Sequence, residues 1–149
     1  MKLSENSHRL VEDFFRDYFE DESFILPKIY LYTGKITAFF TLISKSNGIT
    51  FGKRIFIMPQ LLSSNTKNQK KLPEDLIVHE IMHVIQYQKK GFLKFLYMYL
   101  RDYWRNLQLH EKWDADSRRQ AYLNIPFEIE AREAAKDFLE WKENRIEGE

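Results

Sequence analysis

Residues 79–83 read His-Glu-Ile-Met-His. Two histidines four apart on a helix lie on one face, one turn above the other, so both imidazoles reach a single ion. Glu80 follows His79 directly and stands beside such an ion instead of on it. There it can take a proton from a water that the ion has polarised. About 0.01 matches to this pattern are expected by chance in a chain of this composition, which leaves little room for two unrelated histidines on an amphipathic helix.

The rest of the ligand set is narrowed by composition. The 149 residues include four histidines and no cysteine. Thiolate nucleophiles, disulfides, iron–sulfur clusters and cysteine-ligated zinc are excluded together. A catalytic zinc ion takes three protein ligands and keeps a fourth place open, so histidine or carboxylate must supply the third. His110 is one candidate, and His8 lies far upstream. The segment Ile125-Pro126-Phe127-Glu128-Ile129-Glu130-Ala131-Arg132 offers two more. A helical wheel over 127–142 centres its apolar face near Phe127, Ala131, Ala134 and Phe138. Glu128 and Glu130 flank that face about 200° apart, so only one can face the site. Glu128 lies nearer the centre; a first-turn acid that merely favours the helix dipole is the plainer reading of each.

The helix motif, followed by a glutamate on a later helix in an E-x-E-A setting, resembles the gluzincin branch of the zincin metallopeptidases. In that family the zinc-binding glutamate belongs to E-x-x-A-D, and aligning its alanine with Ala131 places the ligand on Glu128. The extension to Gln86 (H-E-x-x-H-x-x-Q) and the strand GITFGKRIFIMP are similar to small bacterial zincin-like domains. The resemblance covers about residues 48 to 140. It departs from the family at Arg132, where gluzincins carry the aspartate that orients a zinc histidine. Ligand histidines need a hydrogen-bond partner on the second ring nitrogen. Asn106, Asp114, Asp116 or a backbone carbonyl are the candidates for that role.

The resemblance implies Zn2+ held by His79, His83 and Glu128, with Glu80 as general base in the hydrolysis of a peptide bond. Zincins commonly align a peptide along an edge strand above the active-site helix, and 49–58 is the candidate edge. Tyr87, Tyr122 and His110 are candidate oxyanion donors, and Gln86, on the histidines' helix face, and Tyr122 are candidate supports or substrate contacts. Two other readings stand beside the peptidase: a weak or inactive zincin-fold binding module, and a hydrolase of non-peptide amides.

Several elements must position these groups. Leu10, Val11, Phe14, Phe15, Tyr18 and Phe19 recur at helical steps, with Ser4 or Ser7 as cap. The β-branched and aromatic run 29–44 predicts a strand broken by Gly34. Asn47-Gly48 predicts a turn, and 49–58 a second strand bent or bulged at Gly52 and ended by Pro59. Residues 60–72 predict a polar surface loop. Pro73 opens a helix reaching about Lys90, with Gly91 as its stop. Further helices are expected over about 92–108, 112–123 and 126–146. The expected class is α+β in one zincin-like domain spanning 1–149: a helix, a small mostly antiparallel sheet, the active-site helix, then C-terminal helices.

Charge is nearly balanced, with 23 basic against 22 acidic residues, and gives no sign of nucleic-acid binding. It is uneven, however: 86–112 carries six basic residues against Asp102 and Glu111, while 128–149 carries eight acids against four bases. Polar Ser4 to Arg9 stand where a secretory signal would need an apolar run. The most apolar stretch, 92–104, is too short to span a bilayer. It reads as a half-buried helix, with peripheral membrane contact as the alternative. These features predict a soluble cytoplasmic protein acting on a peptide or protein substrate.

Overall fold

A computed structural model describes residues 3–32, 48–57, 63–64, 70–71 and 73–147. The first helix, α1 (Glu5–Phe19), is capped by Ser4, whose hydroxyl accepts from Ser7 N–H. It ends at Glu20, whose backbone turns left-handed (φ 52°) and donates to the last carbonyls. Three strands follow: β1 (Tyr30–Tyr32), β2 (Gly48–Phe51) and β3 (Arg54–Ile57). Two-residue strands β4 (Ser63–Ser64) and β5 (Lys70–Lys71) pair antiparallel. Four helices complete the chain: α2 (Glu74–Lys90), α3 (Phe92–Gln108), α4 (Ala115–Leu123) and α5 (Pro126–Glu147). The class is α+β. No helix among the described residues is long and apolar enough to cross a membrane.

The sheet departs from the sequence expectation in two ways. Residues 49–57 are two strands of a hairpin, not one strand bent at Gly52. Phe51 and Arg54 pair across a two-residue turn, and Gly52 takes φ +63°, which suits glycine in the first turn position. The sheet is also mixed instead of mostly antiparallel. Its order is β1-β3-β2, with β1 parallel to β3 and β2 antiparallel to it. The hairpin fixes β2 against one side of β3, so β1 takes the other. Of the expected strand 29–44, the part beyond Tyr32 lies outside the described residues, as do Asn47 of the expected turn, Met58 and Pro59. The expected loop over 60–72 holds the β4–β5 pair, and the rest of it lies outside the described residues.

Helix α2 is buried around most of its circumference, from Ile77 and Val78 to Ile85 and Gln86. One side meets the inner face of the sheet, where Leu31, Ile55 and Ile57 are fully buried. Another meets α5 through Ala131 and Ala134, whose small side chains allow close approach of the two helices. Phe14 and Phe15 of α1 close this core, Phe14 edge-on to Phe138 at 5.2 Å. Each such side chain removed from water stabilises the fold by roughly 1.5–3 kcal/mol. A second cluster of Phe95, Ile125 and Phe127 joins α3 to the start of α5.

The single residue Gly91 links α2 to α3. Its φ of 80° ends one helix, and its carbonyl accepts from Phe95 N–H to begin the next. Asp114 caps α4 through Ser117 N–H, so this helix begins three residues later than the expected 112.

Candidate metal centre

Helix α2 carries His79 and His83 one turn apart, and their Nε2 atoms stand 3.3 Å from each other. Glu128, in the first turn of α5, completes the group. Its Oε2 lies 3.3 Å from His79 Nε2 and its Oε1 3.3 Å from His83 Nε2. Two imidazole nitrogens and a carboxylate are the donor set that zinc prefers in a cysteine-free site. Tetrahedral ligands about 2.05 Å from one ion stand roughly 3.3 Å apart, the separation of the two Nε2 atoms; the contacts to Glu128 fall on different oxygens, and one donor atom from each residue lies within 4.8 Å of the others. These residues could hold a metal ion. The side chains are 15%, 9% and 4% exposed for His79, His83 and Glu128, which leaves the histidines the wetter side.

Glu128 comes inward because the apolar face of α5 does. Phe127, Ala131, Ala134 and Phe138 are buried beside it. Glu130 points elsewhere: its Oε2 accepts from Gln86 Nε2 at 2.8 Å. His110 follows the end of α3 and does not join the cluster.

Of the residues expected to support the cluster, Gln86 is brought to it and Asn106, Asp114 and Asp116 are not. Asn106 donates to Ala121 O, joining α3 to α4, and Asp114 caps α4. Asp116 lies in the first turn of α4. None of the three bonds a ligand histidine. Gln86 does: its Oε1 lies 2.8 Å from His83 Nδ1, while its Nε2 donates to Phe127 O and Glu130. Because the amide nitrogen faces two acceptors, the oxygen is the atom turned to His83. Nδ1 then carries the proton, and the Nε2 lone pair is left for the cluster.

Two tyrosines fix Glu128. Tyr99 of α3 donates to Oε1 at 2.7 Å and Tyr122 of α4 to Oε2 at 2.8 Å. Each carboxylate oxygen thus has one lone pair on a phenol and one toward a histidine. Tyr122, expected as an oxyanion donor or as a support, thus holds Glu128. Tyr87 donates to Thr50 O at the edge of β2. Arg132, at the position where an aspartate was expected to matter, donates to Leu123 O and closes the end of α4 just after Tyr122. A cation suits a helix C-terminus.

Glu80 is buried on the sheet side of α2, where Thr50 Oγ1 donates to its Oε2 at 2.6 Å. Burial pushes the Glu80 carboxyl up from the usual carboxylate range, against the opposing pull of His83, Thr50 and His79. Burial would push His83 down, yet the hydrogen bond and charge of Glu128 prevail and raise it to about 9. Burial would likewise push Glu128 up, but its bonds to His79 and His83 hold it well below the ordinary range. Burial and the Glu128 charge together raise both Tyr99 and Tyr122, so the phenols stay protonated donors.

Tyr99 and Thr50 are the site residues that sequence reasoning did not single out. Tyr99 shares an inward helix face with Phe95 and Asp102, a spacing visible in the sequence. Thr50 carried no comparable signal.

A cavity of about 460 Å3 lies on the far side of Gln86, between α2, α3 and the start of α5. Met82, Ile85, Phe127 and Glu130 line it, and His79, Glu80 and Glu128 do not.

The chain was compared with models of protein families, with curated proteins and with solved structures, and none of them matches it.

Proposed function

We propose that the chain is a zincin-like, zinc-dependent metallopeptidase of gluzincin type. The observation that carries this reading is the meeting of His79, His83 and Glu128, with one donor atom of each within 4.8 Å of the others and Glu80 buried one residue from His79. A zinc ion held there would supply Lewis acidity to a water and to the scissile carbonyl.

The chain's own groups do the rest. Gln86 keeps His83 in the ligating tautomer, and Tyr99 and Tyr122 keep the Glu128 carboxylate aimed. Thr50 stabilises the ionised form of Glu80, while burial makes that carboxylate a stronger base than one in water. Glu80 takes the proton of the attacking water and gives it to the leaving amine. Among the described residues β2 is an edge of the hairpin's sheet and β3 its interior strand, so the peptide-aligning edge reduces from 49–58 to Gly48–Phe51.

A weak or inactive binding module is the second reading. The low exposure of the three ligands favours it, as does a cavity that opens away from them.

One comparison tests both. Wild type and Glu80→Gln are assayed for zinc by elemental analysis and for cleavage of a peptide library. The peptidase reading expects about one zinc per chain in both proteins and cleavage by wild type alone. Zinc in both without cleavage assigns the module, and wild type without zinc removes both metal readings.

A further inference from the structure

The face of α3 turned from the core is unusually apolar for a surface. Leu93 is 78% exposed and Leu100 56%, and Tyr97 and Trp104 are exposed with them. At 100° per residue these four fall within about 60° of one another. Phe95, Tyr99, Asp102 and Asn106 form the inward face, centred about 160° away. Trp104 meets Trp113 edge-on at 5.1 Å, and Trp113 is exposed too. At the other end Phe51, exposed at the hairpin, packs against Phe92 at 5.0 Å and continues the patch.

Along α3 itself the exposed charge beside this stripe has one sign, whereas Glu111, Asp114 and Asp116 are exposed around Trp113 beyond the helix end. Lys94 and Arg105 flank it on one side, with no ion-pair partner among the described residues. Arg101 shares that flank, paired with Asp102, the only acid of α3, which is buried. Arg54 pairs across the hairpin with Phe51, so both side chains project from the same face of the sheet. Lys112 follows the helix.

We propose that this face docks on an anionic membrane surface, with α3 lying in the headgroup plane. Leucines entering the acyl boundary, tryptophan and tyrosine at its level, and a cationic flank against lipid phosphates form the pattern of an interfacial helix. The helix presents a convex ridge, which a planar lipid surface accepts along its length. Its inward side holds Tyr99 against Glu128, so docking would bring the metal centre within about one helix diameter, 10–12 Å, of the headgroups.

The test uses the full chain and needs neither metal nor hydrolysis, so it fails independently of the peptidase reading. Sedimentation is measured with phosphatidylcholine vesicles, with and without phosphatidylglycerol, at low and high salt. Docking expects binding to the anionic vesicles alone, weakened by salt, with tryptophan emission shifted to the blue. The pair Lys94→Gln and Arg105→Gln should weaken it roughly 25-fold, about fivefold per charge. The pair Leu93→Gln and Leu100→Gln should abolish the blue shift. If the leucine variant loses helix by circular dichroism, the charge variant decides, because both of its side chains stand in solvent. Equal binding to both vesicles, no binding, or binding unchanged in the charge variant overturns the proposal. So does concentration-dependent self-association without lipid that Leu93→Gln and Leu100→Gln removes, which assigns the face to a second copy.

Discussion

Gln86 and His83 face each other at 2.8 Å, the amide oxygen of one against Nδ1 of the other, three residues apart on α2. The contact makes the third position after the motif part of the site. The same amide reaches across to α5 through Phe127 O and Glu130. One side chain therefore sets the tautomer of a histidine and ties together the two helices that bear His83 and Glu128.

Replacing Gln86 with Leu removes the acceptor and the bridge together. Loss of such a partner costs about 10- to 100-fold in metal affinity. Competition against a chromophoric chelator should show a loss of that size in Gln86→Leu. An affinity equal to wild type would mean that the amide has no part in holding the ligand.

Tyr99→Phe and Tyr122→Phe each delete one hydrogen bond to a buried carboxylate. Such bonds contribute about 1.5–3 kcal/mol. Urea unfolding of the metal-free chain should show each variant destabilised by that order. Because both phenols bond one group, the double variant should differ from the sum of the singles.

Thr50→Val removes the hydroxyl that favours ionised Glu80. The Glu80 carboxyl, already raised by burial, should rise further, and 13C NMR titration of the glutamate carboxyl should read the upward shift. In an active chain the acid limb of kcat/KM should move to higher pH by the same amount.

The metal-free chain should lose stability on the alkaline side. His83 is raised from its ordinary 6.5 to about 9 by Glu128, so the folded state binds its proton more tightly than the unfolded state. The stabilisation is fully present below pH 6.5 and disappears as pH rises through about 9. Zinc must displace the same proton, so its affinity should increase over that window. Urea midpoints and zinc titrations at pH 6, 7.5 and 9, a series on the order of one pKa interval apart, should run in opposite directions.

The parts legible in sequence were those with a local period. His79, Glu80 and His83 are joined by helical spacing alone, and Glu128 was indicated by the apolar wheel of its own helix. Helix limits at Ser4, Gly91 and Pro126 followed from capping and proline chemistry. The hairpin was missed because glycine within a β-branched run signals a bulge as readily as a turn, and the choice depends on what pairs across it. Thr50 was missed because its importance lies in meeting Glu80, 30 residues away, across the space between sheet and helix. Arg132 read as a departure from a family pattern. Its position makes it the residue that closes the end of α4, a role set by tertiary packing.

The tyrosine clamp on Glu128 has a kinetic consequence. A carboxylate with a phenol on each oxygen must break those hydrogen bonds before it can swing aside. Were an ion held there, its stepwise release would be slowed at that position. An ion once captured would leave slowly, and its residence time would be governed by the opening of α3 and α4, which carry the two phenols.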